Sequence, residues 1–143
     1  MKEENKVYAV IDTNVFVSAL ISSNSESNPN IILKALGSGV IIPLYNHAIM
    51  SENLEVLSRK QFRLTASQIH NFRNTLEKFG IKTDPTKVDD EIFPDMDDIV
   101  FYEVCMSVDD SYLVTGNLKH YPIKHFVVTP TQMVAILKEK NLI

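Results

Sequence analysis

The sequence predicts an α/β fold: a three-layer sandwich in which a mainly parallel central sheet is flanked by helices, in one domain spanning 1–143. Three observations lead there. Short β-branched apolar runs alternate along the chain with segments of helical period, and parallel strands need such crossover connections. Val7-Tyr8-Ala9-Val10-Ile11 is apolar throughout instead of alternating, which marks a strand buried on both faces. The 143 residues suit one domain with a sizeable core, and no repeat, low-complexity tract or linker divides them.

The elements follow in order. After Asp12-Thr13-Asn14, the run Val15–Ile21 is expected to form the first helix, and Ser22 to Asn28 a polar loop. Asn28-Pro29 has the pattern of an N-cap followed by proline at the first helical position. Ile32, Leu33 and Leu36 supply that helix's buried face, and Gly37 and Gly39 end it. Val40–Tyr45 is a second strand, with Pro43 expected at or near its end because proline cannot donate to a ladder. Asn46 can cap a helix running to about Arg59. Thr65-x-x-Gln68 is a capping box, and Ile69, Phe72, Leu76 and Phe79 keep a helical spacing up to Gly80. Lys82 to Pro94 has a weak pattern: loop, with room for one edge strand. Asp98–Met106 is expected as helix, Tyr112–Thr115 and Phe126–Val128 as strands, and Thr129-Pro130-x-Gln132 caps a last helix through about Lys140.

Composition narrows the function. With 45% hydrophobic and 22% charged residues, the chain has ordinary globular usage. No apolar run approaches the ~20 residues that span a bilayer. The opening residues lack the long apolar stretch of a signal peptide, so a cytoplasmic location is expected. Cys105 is the only cysteine, which excludes an internal disulfide and a cysteine-based zinc site. The net charge of −4 speaks against a nucleic-acid partner unless a specific motif outweighs it, although an acidic metal centre would itself lower the total.

In open parallel sheets, ligands bind beyond the carboxyl ends of the strands. Asp12 lies directly after the first strand and Gly116-Asn117 directly after the strand ending at Thr115; if those strands are neighbours, the two meet on one rim. Asp12 fits a second role, as N-cap of the helix that follows. Glu52 falls on the border of an apolar helical arc made by Ile49, Met50, Leu54, Val56 and Leu57, from which it can reach a cleft, although position alone favours an ordinary solvated helix glutamate; Glu55 and Arg59 face outward as an i,i+4 pair. Asp98 precedes a segment that is apolar almost all round and projects into apolar company, but helix-start capping by Asp97 or Asp98 fits as well. Carboxylates gathered from such distant stretches repel one another, and a divalent cation is the natural compensator. Mg²⁺ or Mn²⁺ prefers oxygen ligands and can activate a water at a phosphodiester. Other templates fail. The glycines at 37, 39, 80 and 116 form no phosphate loop, no serine sits in a nucleophile elbow, and His47, His70, His120 and His125 have no paired ligand spacing.

Four segments then resemble the motifs of the PIN-domain nucleases, in family order and over nearly the whole chain. They are Ile11-Asp12-Thr13-Asn14-Val15, the stretch Glu52-Asn53-Leu54-Glu55-Val56-Leu57, the cluster Asp95-Met96-Asp97-Asp98 followed by Phe101, and Leu113-Val114-Thr115-Gly116-Asn117 with Lys119-His120-Tyr121-Pro122. The resemblance implies a PIN-like fold, a metal-dependent endoribonuclease, and Asp12, Glu52 and Asp98 as the acids that bind Mg²⁺ or Mn²⁺. Asp98 is preferred to Asp95 and Asp97 for its spacing to Phe101. Asn117 stands where many family members have a fourth aspartate; it can assist as a neutral oxygen ligand or through water, with one charge fewer. Asn14, Thr115 and Lys119 are candidates to contact substrate or support the acids, and Arg59, Lys60, Arg63 and Lys124 could add a phosphate-tracking rim. The ending Val-Thr-Gly-Asn-x-Lys-His-aromatic-Pro is similar to a bacterial subgroup described as toxins of toxin–antitoxin pairs, which implies an RNA substrate and an antitoxin protein as partners. A homodimer stays open.

Two other readings compete. A catalytically weak module that binds RNA or protein is favoured by Asn117 and the acidic charge. An aspartyl phosphatase or phosphotransferase would use Asp12 as nucleophile, but the customary acid two residues on is Asn14.

Overall fold

The computed structural model describes residues 5–85, 87–88, 91 and 93–143. Among the described residues five strands, β1 (Val7–Ile11), β2 (Ile41–Tyr45), β3 (Ile81–Lys82), β4 (Tyr112–Val114) and β5 (Val127–Val128), form one sheet in the order β3-β2-β1-β4-β5. Every pairing is parallel. The described residues also form six α-helices that connect and cover them: α1 (Thr13–Ile21), α2 (Asn28–Gly37), α3 (His47–Leu57), α4 (Ala66–Phe79), α5 (Ile99–Met106) and α6 (Pro130–Glu139). Right-handed crossovers put α1 to α4 on one face and α5 on the other. The packing agrees: α1 lies against α2 and α3, α6 against α2, and α5 against β1, β2 and β4. No helix among the described residues is long and apolar enough to cross a membrane.

The central strand carries the fold. Ala9 and Val10, which point to opposite faces, are both 0% exposed, as an unbroken apolar run requires. Around them Ile41, Leu57, Phe101, Tyr102, Leu113 and Leu137 close a single core. Each such side chain contributes roughly 1.5–3 kcal/mol by leaving water.

The caps at Asn46, Thr65 and Thr129 form as expected, the last two as full capping boxes. Gly80 ends α4 where nothing larger fits, because a Cβ there would collide with the Leu76 carbonyl oxygen and the Tyr45 ring.

Four expectations need correction. The cap of α2 is Ser27, whose side chain accepts from the Asn30 amide, and Asn28 is the first helical residue. Pro43 sits inside β2, paired with Ala9, and not at its end. Its ring nitrogen faces the β3 side, where pairing begins only at Leu44, so no ladder bond is lost. Asp98 closes a 3₁₀ turn, Met96–Asp98, and α5 starts one residue later. The buried arc of α3 is Ile49, Met50, Asn53 and Leu57, while Leu54 and Val56 are only partly covered. The weak stretch before Pro94 does begin with an edge strand, β3, of two residues; positions 86, 89, 90 and 92 of it lie outside the described residues.

Candidate active site

Strand order reverses between β1 and β4, and the crevice at their carboxyl ends is where a parallel sheet receives ligands. The two strands hold Asp12 and Thr115 side by side there, since the Asp12 amide donates to the Val114 carbonyl and the Thr115 amide to that of Val128. Asp12 is buried, and although it occupies the N-cap position of α1 its side chain makes no capping bond. The Asp12 side chain therefore does not cap α1. Its Oδ2 accepts from Thr115 Oγ1 at 2.8 Å and from Tyr121 Oη at 3.3 Å. The Tyr121 hydroxyl is pushed far up by burial, and by the charges of Asp12, Asp98 and Glu52, so it remains a donor.

Glu52 reaches the same crevice from α3. Thr13 Oγ1 donates to its Oε2 at 2.5 Å, and Asn53 Nδ2 donates to Thr13 Oγ1 at 2.8 Å. The Glu52 carboxyl is raised first by burial and further by the charges of Asp12, Asp97 and Asp95, against the lowering effect of the Thr13 bond.

Asp98 arrives from the turn before α5, its side chain 13% exposed. Burial, then the charge of Asp12, push it up to about 6; Asp95 and Glu52 act the same way and His120 opposes them. His120 Nδ1 stands 3.2 Å from Asp98 Oδ2, within ion-pair reach but without hydrogen-bond geometry, and Oδ2 is buried with no hydrogen-bond partner among the described residues. Capping of the turn falls to Asp95, which accepts from the Asp97 amide at 2.9 Å. Asp98 makes no cap bond and is left for the crevice.

The structure therefore brings Asp12, Glu52 and Asp98 within range of one another's charge, from three separate elements. Thr115 joins them directly. Asn117 joins through its backbone, whose N–H donates to Thr115 Oγ1 at 3.0 Å, while its side chain is exposed and caps nothing. Asn14 and Lys119 are exposed, and among the described residues no hydrogen bond or ion pair links their side chains to the acids. Of the basic residues, Arg59 pairs with Glu55 and Lys124 with Glu91, while Lys60, Arg63 and Lys119 are exposed.

The donor set suits a hard cation. All three acids present oxygen, Glu52 and Asp98 are raised first by burial and then by neighbouring charge, and Asp98 Oδ2 is buried with no hydrogen-bond partner among the described residues, only the His120 ring 3.2 Å away. As placed, no three His, Cys, Asp or Glu side chains among the described residues stand close enough to hold one ion jointly.

Sequence reasoning passed over Tyr121, Thr13 and Asn53. Tyr121 lies in a loop, where periodicity carries no information. Asn53 had a usable signal: with Ile49 and Leu57 at i−4 and i+4, it falls in the middle of the buried arc.

Among protein families, a model described as PIN domain matches residues 8–119. No curated protein matches the chain.

Proposed function

We propose, from the premise that this chain belongs to the PIN-domain family, that it is a metal-dependent endoribonuclease, the toxin of a toxin–antitoxin pair acting in the cytoplasm. PIN domains are in general nucleases, hydrolases of phosphodiester bonds. Supporting the finer reading is one observation above the rest: Asp98 Oδ2 is buried with no hydrogen-bond partner among the described residues, and it lies close enough to Asp12 and Glu52 for their charges to raise its carboxyl. An arrangement that unfavourable for the free protein fits a site built for a cation.

In this reading Asp12, Glu52 and Asp98 hold Mg²⁺ or Mn²⁺. The bound cation supplies a water of lowered pKa and charge at the leaving oxygen. Thr115 and Tyr121 hold Asp12 by one oxygen, and Thr13 holds Glu52 by one oxygen. Asp98, raised to about 6, gives up its proton by neutral pH and is then able to ligate. Asn117 assists as a neutral oxygen, and Asn14 and Lys119 are exposed on the rim where an RNA backbone would pass.

The test is cleavage of single-stranded RNA by the purified protein. Cleavage requires Mg²⁺ or Mn²⁺ and disappears in Asp12→Asn and Asp98→Asn while circular dichroism stays native. Metal-independent cleavage, or full activity in both variants, refutes the proposal. Growth arrest on expression, relieved by Asp98→Asn and by a co-expressed protein partner, tests the toxin role. A weakly catalytic RNA- or protein-binding module is the second reading, favoured by the absence of a ready three-acid chelate among the described residues. Calorimetric titration with Mn²⁺ separates the two, because such a module has no saturable site that depends on Asp12.

A further inference from the structure

Asn53 is anomalous on α3. Its side chain is 0% exposed, set among Ile49, Met50 and Leu57. A buried amide lowers stability unless both of its ends are bonded. Here Nδ2 donates to Thr13 Oγ1, but Oδ1 is buried with no hydrogen-bond partner among the described residues. A leucine of similar volume would pack at this position without stranding an acceptor, so packing alone does not explain the amide.

Its effect lies one bond further on. A threonine hydroxyl carries one proton and turns to suit its neighbours. With the Asn53 N–H occupying a lone pair of Thr13 Oγ1, the threonine proton is committed to Glu52 Oε2. The other wall of the crevice has the same arrangement. The Asn117 backbone N–H donates to Thr115 Oγ1, and Thr115 gives its proton to Asp12 Oδ2. Each acid is thus held at one oxygen by a threonine whose direction is set by an N–H group that can only donate. A loop amide performs this for Asp12. Glu52 projects from the middle of a helix, where backbone N–H groups are taken by the helix ladder, so the donor has to be a side chain.

We propose that Asn53 is a positioning residue of the acidic centre, which acts through Thr13 to hold Glu52 by Oε2 and leave Oε1 as the oxygen offered to a divalent cation. The inference rests on the metal-dependent reading above and adds to it a residue that touches neither cation nor substrate.

The experiment uses the purified full chain and Mn²⁺ alone as probe, with calorimetry for affinity and thermal melts in chelator for metal-free stability. In Asn53→Leu the metal-free protein melts no lower than wild type, yet Mn²⁺ binds about 10-fold more weakly, the scale for groups that orient a ligand. Thr13→Val interrupts the same relay and weakens Mn²⁺ equally, and the double variant is no weaker than either single one. Thr13→Ser, which keeps the hydroxyl, restores the affinity; should Asn53→Leu fail to fold, the contrast between the Thr13→Val and Thr13→Ser variants carries the test. Unchanged Mn²⁺ affinity in Asn53→Leu, additive losses in the double variant, or equal affinity of Thr13→Val and Thr13→Ser overturns the proposal. A wild-type protein with no saturable, Asp12-dependent Mn²⁺ site instead overturns the metal-dependent reading itself, and the two failures are distinct.

Discussion

The two ends of β4 treat buried polar groups in opposite ways. Before the strand, Ser111 is buried and fully used, its proton shared between the carbonyls of Cys105 and Val108 at 2.8 Å each. The neighbouring Cys105 thiol is pushed up to about 11 by burial, which leaves it protonated and unreactive. Beyond the strand, the carboxyl end gathers three acids, and both buried side-chain atoms without hydrogen-bond partners among the described residues, Asp98 Oδ2 and Asn53 Oδ1, belong to this network. The amino end satisfies its polar groups internally and closes the fold. At the carboxyl end Asn53 Oδ1 and Asp98 Oδ2 stay without hydrogen bonds from the described residues, which for the amide oxygen costs about 1–3 kcal/mol of stability.

If this contrast holds, the largest effect belongs to the acids. Asp98→Asn or Asp12→Asn lowers RNA cleavage by more than about 100-fold, beyond the range for a group one step removed from a metal, as measured with a fluorescent single-stranded RNA. Tyr121→Phe comes next. Its 3.3 Å bond is long, so its loss removes only about 0.5 kcal/mol of stability, but Mn²⁺ binding weakens roughly 10-fold because Asp12 is held less firmly; unaltered affinity would remove Tyr121 from the site. Ser111→Ala is the control from the opposite end. It costs about 1 kcal/mol, or about 3 °C in melting temperature, and leaves cleavage intact; a loss of activity without a loss of stability would erase the contrast.

The last effect is a trend with pH. Asp98 is raised from 3.8 to about 6 in the folded protein, so its ionisation disfavours the fold. The stability it contributes is complete below about pH 4 and is lost as pH rises through about 6. In chelator, Asp98→Asn therefore melts above wild type at about pH 7 to 8, and the two curves converge towards about pH 4. Curves that run parallel across this range would mean that Asp98 is not destabilised by ionisation.

Much of the scaffold could be read from local chemistry, because a cap or a buried strand is written in adjacent residues. Thr65 with Gln68, Thr129 with Gln132, and the unbroken Val7–Ile11 run each behave as their neighbours dictate. What escaped depended on partners far along the chain. Pro43 is tolerated inside β2 only because β3 pairs so late, and no window around Pro43 contains that information. At the site, position alone left each acid with a capping or solvated alternative and the motif resemblance singled out Asp12, Glu52 and Asp98; the rim shared by Asp12 and Thr115 follows from β1 and β4 being neighbours. The hydroxyls and amides that steer those acids were missed. Tyr121 is 109 residues from the carboxylate it touches, and Asn53 was hidden by a small error in the phase of the α3 wheel, which had set Val56 inside the arc.

The bond from Thr115 to Asp12 spans 103 residues of sequence. Closing a loop of that length carries an entropic cost that is recovered only when β4 docks beside β1, late in any ordering of the strands. A nascent chain that has emerged only as far as α4 therefore carries Asp12 and Glu52 but neither Asp98 nor the strand that orients Asp12. The three acids stand together only once the sheet is complete, and a product that stops at α4 lacks both Asp98 and the Thr115 hydroxyl that holds Asp12.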